Sequence, residues 1–197
     1  MYIIGITGGI ACGKSAVAET LRRYFRATTF DIDKITHLLL EPYGELFDIY
    51  VRHFGERVVE NGLLNRRLIG EIIFTNPAER EWINSVAHPI LLNKTRDFLV
   101  ECQEAGVRLV ALEVPLLFEA GWEHVVDEIW AVYIPREFQL ERLMIRDKLT
   151  QEQAMARINA QMQVKEICKR ADVKIKNLGG YAKVRKRVCA ALKGRKF

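Results

Sequence analysis

The residues best suited to chemistry lie near the start of the chain, in Gly8-Gly9-Ile10-Ala11-Cys12-Gly13-Lys14-Ser15. Glycine, four residues, glycine, lysine and serine is the spacing of a loop whose backbone N–H groups wrap around a polyphosphate. Lys14 is predicted to reach the β- and γ-phosphates, and the Ser15 hydroxyl is predicted to bind a magnesium ion. We name this segment the phosphate loop; the alternative is a glycine-rich turn without a ligand.

Two segments must hold this loop in place. Tyr2 to Ile6 is an apolar run typical of a buried strand, and Ala16 to Phe25 has the composition of a helix. The loop then ends at a helix N-terminus, whose partial positive charge favours phosphate. The sequence therefore predicts a strand, a phosphate loop and a helix.

Acidic residues follow the next predicted strands. Ala27 to Phe30 is predicted to be the second strand, and Asp31-Ile32-Asp33 comes directly after it. The third strand, Val107 to Val114, carries Glu113 near its end, where phosphate-loop enzymes place the acid that orients magnesium. Because the carboxyl ends of parallel strands gather around the ligand, these carboxylates are expected to face the phosphates. Alternatively, one aspartate caps the helix predicted from Lys34.

The segment between the second and third strands is predicted to be helical from Lys34 to Glu104. Asn65 is predicted to cap a helix that runs to about Phe74, and Ile90 to Glu104 is predicted to be a separate helix. Breaks are predicted at Glu41 to Gly44, Phe54-Gly55, a turn from Gly62 to Asn65, Thr75 to Pro77, and before His88-Pro89. A crossover needs far fewer helices, so residues 34–105 are predicted to form a substrate-binding insertion.

Two further helices are predicted to form a lid at residues 141–169. Arg136 to Asp147 is the first of them, and the second opens after Lys148. Their notable polar residues are Gln139, Arg142, Arg146, Arg157 and Gln161. Gln139, Arg142 and Arg146 lie along one helix face and could turn toward a nucleotide. The alternative is that the arginines are simply solvated.

The remaining elements complete a three-layer α/β fold. Strands are predicted at Glu128 to Ile134 and at Ala171 to Asn177, and Leu178-Gly179-Gly180 is predicted to turn into a closing helix. Alternation of strands and helices predicts a parallel sheet covered on both faces. We therefore expect a single domain whose core comprises about residues 1–33, 106–140 and 170–197.

Composition excludes several classes of protein. The 197 residues carry a net charge of +5, and no apolar run approaches the roughly 20 residues of a membrane-spanning helix. The chain enters Tyr2-Ile3-Ile4 without a basic leader, which predicts a cytoplasmic protein that acts away from membranes. Basic residues crowd positions 183–196. A solvated helix face is expected there and no nucleic-acid partner, although a nucleic-acid patch is the alternative.

The cysteines Cys12, Cys102, Cys168 and Cys189 are scattered without metal-binding spacing, as in reduced cytosolic proteins. Cys12 differs from the others because it lies inside the phosphate loop. Backbone donors and Lys14 could lower the pKa of its thiol and make it open to modification. The alternative is that Cys12 is a small filler.

A phosphate loop alone does not choose a reaction. A GTPase would need Asn-Lys-x-Asp to recognise its base, but Asn93-Lys94-Thr95-Arg96 ends in arginine. A motor or helicase would need a longer chain. A small chain with early acidic residues, a helical insertion and a late arginine-bearing lid suits phosphoryl transfer to a small acceptor.

From end to end, the chain resembles the dephospho-CoA kinase family. The resemblance is most distinctive in Pro115-Leu116-Leu117-Phe118-Glu119. It also rests on Ile6 to Ile10 with Gly13-Lys14-Ser15, Asp31-Ile32-Asp33 with His37, Phe54-Gly55, Asn65-Arg66, Leu68, Phe74, Asn84, His88-Pro89, the five lid residues above, Ala171-Asp172, Asn177 and Gly179. It implies a fold of the phosphate-loop NTPase and nucleoside monophosphate kinase type.

The resemblance also implies the reaction, transfer of the ATP γ-phosphate to the ribose 3′-hydroxyl of dephospho-CoA. Asp33 would accept or orient the hydroxyl proton, and Lys14 and Arg142 would complete the catalytic set. Gly8, Gly9 and the backbone from Ala11 to Ala16 would cradle ATP, with Ser15 on Mg²⁺ and Arg146 as a further nucleotide contact.

The same resemblance implies two further groups of contacts. Asp33, His37, Arg66, His88 and Glu119 would bind the acceptor, and Asn177 and Gly179 would lie against adenine. His88 could instead be a structural histidine, and residues 177–179 a plain turn. Ala16 stands where the family often has a hydroxyl residue, which removes a side-chain phosphate contact.

Three alternatives remain open from the sequence. They are another small-molecule or nucleoside monophosphate kinase, a non-catalytic nucleotide-binding module, and a protein that binds nucleic acid through its basic tail. Oligomeric state is not indicated.

Overall fold

The computed structural model describes residues 1–195, apart from the side chain of Phe74. Lys196 of the basic tail and the Phe74 side chain therefore lie outside the described residues. In chain order the elements are β1 (Tyr2–Thr7), α1 (Lys14–Phe25), β2 (Thr28–Asp31), α2 (Ile32–Leu39), α3 (Glu45–Phe54), β3 (Val59–Glu60), β4 (Leu63–Leu64), α4 (Arg66–Thr75), α5 (Pro77–Glu104), β5 (Leu109–Glu113), β6 (Glu128–Tyr133), α6 (Arg136–Asp147), α7 (Gln151–Asn159), α8 (Val164–Arg170), β7 (Val173–Lys176) and α9 (Tyr181–Ala191).

The chain divides into two units. Residues 1–31 and those from 98 onward form one, which we call the sheet unit, and residues 32–97 form the other, which we call the helical unit. The substrate-binding role of residues 34–105 and the lid role of residues 141–169 stay predictions.

The sheet unit contains a five-stranded parallel sheet in the order β2-β5-β1-β6-β7. Every residue of β5 is buried, as expected for a strand covered on both faces. Asp31 at the end of β2 is in register with Glu113 at the end of β5. The predicted parallel sheet with helices on both faces is confirmed, and the phosphate loop emerges from its central strand.

Helices α1 and α9 cover one face of the sheet with a continuous apolar core. Val17 and Leu21 lie one turn apart on α1, Val184 and Val188 lie one turn apart on α9, and all four are fully buried. On β2, Phe30 stacks on Phe98 of α5 with ring centroids 4.4 Å apart. This packing fixes the helix that begins at Lys14 against the strands that end beside it.

Helices α6 and α7 pack together around a small apolar cluster. Leu143, Ala154 and Ile158 are its buried members, and Ile10 and Ala11 of the phosphate loop pack against them. Thr150 begins α7 with a capping box, in which it accepts from the Gln153 N–H while the Gln153 side chain bonds back. The prediction that Gln161 lies on the second lid helix is wrong, because α7 ends at Asn159. The short helix α8 was not predicted, since Gln163 begins it without a side-chain cap.

The helical unit is built around aromatic side chains from α3 and α5. Tyr50 and Phe54 are buried, and Trp82 packs against both. Tyr50 is only 3% exposed, and this burial raises its pKa to about 12. Asn65 begins α4 by accepting a hydrogen bond from the Leu68 N–H at 2.9 Å, so the predicted cap is confirmed.

Two local predictions in this unit are wrong. The turn lies at Asn61 and Gly62, both at positive φ, and Leu63–Leu64 form a strand that pairs with β3. Two such residues suit a tight hairpin turn. The predicted break before Pro89 does not occur, since α5 runs through it. Burial of Ala87, Leu91 and Thr95 at four-residue spacing on one face offsets the hydrogen bond that proline removes.

Across residues 1–195, no helix combines the length and the apolar character that crossing a membrane requires.

Candidate active site

The phosphate loop adopts a conformation that requires glycine at specific positions. Gly8 has φ 140°, and a Cβ there would lie 2.1 Å from the Val132 carbonyl oxygen. Gly13 has φ 83°, and a Cβ there would lie 2.0 Å from Asn177 Nδ2. Ala11 also has positive φ, at 58°. Glycine is thus required at these two positions for two reasons: it tolerates a positive φ, and its lack of a Cβ allows neighbouring atoms to pack closely against the loop.

Lys14 folds back over the loop. Its Nζ donates to the carbonyl oxygens of Gly8 at 3.0 Å and Gly9 at 3.4 Å. Lys14 is also the first residue of α1, so its ammonium adds to the positive end of the helix dipole. The arrangement gathers positive charge at the mouth of the loop, as the motif predicts.

Two of the six backbone donors predicted from Ala11 to Ala16 bond within the loop. The Cys12 N–H donates to the Gly9 carbonyl, and the Ala16 N–H donates to the Gly13 carbonyl, each at 3.2 Å. These bonds tighten the turn into α1. That the backbone from Ala11 to Ala16 binds ATP stays a prediction.

Ser15 and Glu113 form the polar pair that the sequence placed near a metal. Ser15 Oγ donates to Glu113 Oε2 at 2.8 Å, and Glu113 is only 7% exposed. Within the described part of the chain, no cluster of three or more His, Cys, Asp or Glu side chains could hold a metal ion. An ion held here would therefore take most of its ligands from phosphate and water, which is how magnesium commonly binds beside nucleotides.

The thiol of Cys12 is not an activated one. It is fully buried, and burial raises the pKa of the Cys12 thiol despite the nearby charges of Lys14 and Arg142. The prediction that loop donors and Lys14 lower this pKa is therefore wrong. The filler interpretation fits, because the side chain lies within the apolar core under α1.

Asn177 supports the loop from the end of β7. Its Nδ2 donates to the Cys12 carbonyl at 2.8 Å and to the Gly13 carbonyl at 3.4 Å, and its own carbonyl accepts from Arg142 Nη2 at 3.3 Å. Arg142 is thereby held beside the loop. Gly179 is exposed at φ 91° in the following turn. Contact of Asn177 and Gly179 with adenine stays a prediction.

The other lid arginines converge on one carboxylate. Arg146 Nε donates to Asp147 Oδ1 at 2.7 Å, and Arg157 Nη1 donates to Asp147 Oδ2 at 3.0 Å. The hydrogen bond from Arg146 is the largest cause that lowers the pKa of Asp147. Asp147 therefore ties α6 to α7, a role that the sequence analysis did not assign.

Gln139 and Gln161 both contact the phosphate loop, which was also not predicted. Gln139 Nε2 donates to the Ile10 carbonyl at 2.9 Å, and Gln161 Oε1 accepts from the Ile10 N–H at 2.8 Å. One sequence signal was present: Gln139 lies one turn before the buried Leu143, so a polar residue occupies the apolar face of α6.

Glu119, a predicted acceptor contact, is exposed in the loop after β5. Its Oε1 accepts from the Met162 N–H at 3.0 Å, just beyond α7. Its carboxylate thus holds the segment that also carries Gln161.

The remaining candidates belong to the helical unit. Asp33 lies in the first turn of α2, which begins at Ile32, earlier than the Lys34 start that was predicted. His37 is at the other end of α2, and its carbonyl accepts from Arg66 Nη2 at 3.2 Å. Arg66 also pairs with Glu41. Arg66 and His37 are thereby brought together, whereas His88 is half-buried in the middle of α5.

Comparison with known proteins identifies the family of the chain. The family model described as dephospho-CoA kinase matches residues 2–183. A dephospho-CoA kinase of Carboxydothermus hydrogenoformans is 39% identical over 191 residues, which cover 96% of this chain and 92% of that protein.

Two solved structures share the architecture over almost the full chain. The crystal structure of TT1252 from Thermus thermophilus has a TM-score of 0.80 and 34% identity, and covers 97% of this chain and 95% of its own. The dephospho-CoA kinase from Campylobacter jejuni has a TM-score of 0.67 and 29% identity with the same coverage of both chains. The chain therefore belongs to the dephospho-CoA kinase family.

Proposed function

We propose that this protein transfers the γ-phosphoryl group of ATP to the ribose 3′-hydroxyl of dephospho-CoA, the last step of coenzyme A synthesis. One observation carries the proposal. The family match runs from residue 2 to residue 183, so it includes the phosphate loop and every candidate acceptor residue, and not only the nucleotide half that many kinases share.

The phosphate loop would hold ATP. Lys14 already donates to two neutral carbonyl oxygens at the loop mouth, and a negatively charged phosphate is a stronger partner for its ammonium. Backbone N–H groups between Ala11 and Ala16, together with the α1 dipole, would add to this attraction. Asn177 holds the loop carbonyls from below, which preserves the cradle.

A magnesium ion fits the Ser15 and Glu113 pair. The hydroxyl and the buried carboxylate lie 2.8 Å apart, and two oxygen ligands leave room for phosphate oxygens and water in an octahedral shell. When bound, the ion would neutralise charge on the β- and γ-phosphates. Ser15 would contact it directly, and Glu113 would orient Ser15 or share the ion.

In the transfer step, the 3′-oxygen of the acceptor would form a bond to the γ-phosphorus as the bond to the bridging oxygen of ADP breaks. Asp33, exposed in the first turn of α2, would accept the hydroxyl proton. His37, Arg66, His88 and Glu119 would bind the acceptor. The charge on the transferred group would be met by Lys14 and Arg142.

Arg142 is a better candidate for this role than Arg146. Its guanidinium is held beside the loop by the Asn177 carbonyl, whereas Arg146 is exposed and engaged by Asp147. Closure of residues 141–169 would exclude water, which otherwise competes with the acceptor.

We place the reaction in the cytoplasm, since all four cysteines are free thiols.

The test is ATP consumption with Mg²⁺, with and without dephospho-CoA, for the wild type and for Asp33→Asn. We expect turnover that requires dephospho-CoA and yields CoA, identified by mass spectrometry. Loss of the proton acceptor should lower kcat by about 10²- to 10⁴-fold, with little change in the KM for ATP.

Asp48→Asn is the matched control, because Asp48 is also an exposed aspartate in the first turn of a helix of the same unit. It should keep the wild-type rate. A nucleoside monophosphate as the preferred acceptor, or an Asp33→Asn protein with full activity, would contradict the proposed reaction or the proposed base.

A further inference from the structure

Among the hydrogen bonds described for residues 1–195, Ile10 is the one phosphate-loop residue whose backbone N–H and carbonyl oxygen are both bonded to side chains from outside the loop. Its N–H donates to Gln161 Oε1 at 2.8 Å, and its carbonyl accepts from Gln139 Nε2 at 2.9 Å. A backbone N–H only donates and a carbonyl only accepts, so the orientation of each amide follows from its partner. We call this arrangement the glutamine clamp.

The two glutamines come from different elements. Gln139 belongs to α6 and is 2% exposed. It packs so closely that a Cβ on Gly9 would lie 2.6 Å from its Nε2. Gln161 follows the end of α7, and the next residue, Met162, donates its N–H to Glu119 at 3.0 Å. The clamp thus joins the loop to α6 and to the segment that follows α7.

The apolar side of Ile10 is held by the same two helices, because Ile10 packs on Leu143, Ala154 and Ile158. Rotation of the Ile10 peptide groups would break two part-buried hydrogen bonds. It would also move Ala11, where φ is positive and the phosphate-binding part of the loop begins.

We propose that Gln139 and Gln161 are positioning residues that fix the peptide groups of Ile10 and thereby keep the loop in its phosphate-binding conformation. The inference rests on the proposed function only in that the loop binds ATP. It predicts that the direction of each hydrogen bond, and not only the size or charge of each side chain, controls nucleotide affinity.

Two isosteric substitutions separate direction from size. Gln161→Glu keeps an acceptor for the Ile10 N–H, whereas Gln139→Glu replaces the donor to the Ile10 carbonyl with a second acceptor. Both add one negative charge beside the same residue, so each is the other's control. A cavity of about 350 Å³ borders both side chains, which leaves room for the substituted groups.

The readout is the dissociation constant for Mg²⁺-ADP by calorimetry, which requires no acceptor and no turnover. We expect Gln161→Glu to bind within a fewfold of the wild type at neutral pH. We expect Gln139→Glu to bind about tenfold or more weakly, because the part-buried Ile10 carbonyl loses its donor and faces a carboxylate instead. The defect of Gln139→Glu should shrink as pH falls, since a protonated carboxyl can donate again.

Gln161→Met tests the clamp without a buried charge, because it keeps the length of the side chain and removes the acceptor. It should bind nucleotide about fivefold or more weakly than Gln161→Glu. Melting curves show whether Gln139→Glu folds. If it does not, the comparison of Gln161→Met with Gln161→Glu tests the proposal by itself.

Equal affinities for the two Gln→Glu variants, or wild-type affinity for Gln161→Met, would overturn the proposal. The proposed function fails separately: a wild type that binds ADP but does not phosphorylate dephospho-CoA would refute the reaction and leave the clamp intact.

Discussion

The two ends of the parallel sheet carry similar charged residues but use them differently. We call the end at which the strands begin the amino edge and the end at which they finish the carboxyl edge. At the amino edge, Asp127 Oδ2 accepts from the Ile3 N–H at 2.7 Å, and Asp172 Oδ2 accepts from the Ile129 N–H at 2.8 Å. Glu128 pairs with Arg195, whose Nη2 donates at 2.8 Å. Each of these carboxylates either accepts a hydrogen bond from a backbone N–H of a strand or pairs with a cationic side chain.

At the carboxyl edge, the polar groups converge on the phosphate loop instead. Glu113 accepts from a hydroxyl, Lys14 donates to neutral carbonyl oxygens, and Asn177 holds the loop from below. A phosphate or a metal ion is a stronger partner than a hydroxyl or a carbonyl. The amino edge is therefore arranged for stability, whereas under the proposed function the carboxyl edge would exchange these partners for a ligand.

Cavity size does not reveal this difference. A cavity of about 830 Å³ opens at the amino edge beside Tyr2, Arg108 and Arg195. It is larger than the cavity of about 350 Å³ that borders the phosphate loop. The polar residues that converge on the phosphate loop, and not the cavity volume, make the carboxyl edge the candidate site.

The largest expected effect comes from glycine replacement at the two edges. Gly8→Ala places a Cβ 2.1 Å from the Val132 carbonyl oxygen, so the loop must shift. A displacement of this kind should lower kcat/KM for dephospho-CoA phosphorylation by about 100-fold or more. Steady-state kinetics on the folded variant measure the loss.

Gly106→Ala is the control at the amino edge, before β5. Gly106 also has positive φ, at 69°, but a Cβ there meets no atom within 4 Å. Its backbone strain should cost about 1–2 kcal/mol of stability and leave the rate unchanged. Equal losses of activity in both variants would mean that strain, and not the close approach to Val132, explains the need for Gly8.

A smaller effect is expected from Glu113→Gln. The amide is isosteric but loses the charge that supports Ser15 and the proposed magnesium ion. Loss of such a supporting carboxylate should reduce activity about 10- to 100-fold at limiting Mg²⁺, with partial recovery as Mg²⁺ rises. The measurement is a Mg²⁺ titration of the initial rate. A variant with the Mg²⁺ dependence of the wild type would remove Glu113 from the metal site.

Local sequence signals predicted much of this carboxyl edge. The phosphate loop and the strand predicted from Val107 to Val114, observed as Leu109–Glu113, each depend on residues close together in the chain, as does the cap at Asn65 in the helical unit. Helix α6 was predicted with the bounds that it has, Arg136–Asp147. Such elements are accessible because glycine, proline, caps and apolar periodicity act within a few residues.

Long-range partners could not be predicted in the same way. Gln139 and Gln161 lie 129 and 151 residues from Ile10, and no local pattern indicates that they meet. Burial of Cys12 raised the pKa of its thiol, although the neighbours in sequence suggested the opposite. Pro89 locally predicts the end of a helix, but burial of one face of α5 keeps the helix continuous there. In each case tertiary packing overrides the structure that the neighbouring residues in sequence predict.

The smallest effect concerns the amino edge, where Glu128→Gln should alter stability but not catalysis. Burial raises the pKa of Glu128, but its hydrogen bonds, led by that from Arg195, outweigh this and hold the pKa below the ordinary value. A lowered folded pKa stabilises the protein above the unfolded glutamate pKa of about 4.3 and ceases to do so as pH falls through the folded value.

The wild type should therefore exceed Glu128→Gln in unfolding free energy by about 1–2 kcal/mol at pH 7. A hydrogen bond to a charged group contributes about 1.5–3 kcal/mol, and this value is discounted because Arg195 is partly exposed to solvent. This difference should diminish as pH falls below the unfolded glutamate pKa of about 4.3 and through the lower folded value, because the carboxylate is then protonated. Urea unfolding at several pH values measures it, and the rate per folded molecule should match the wild type. A difference independent of pH would show that Glu128 acts through packing, and a loss of rate would show that the two edges are not separate in function.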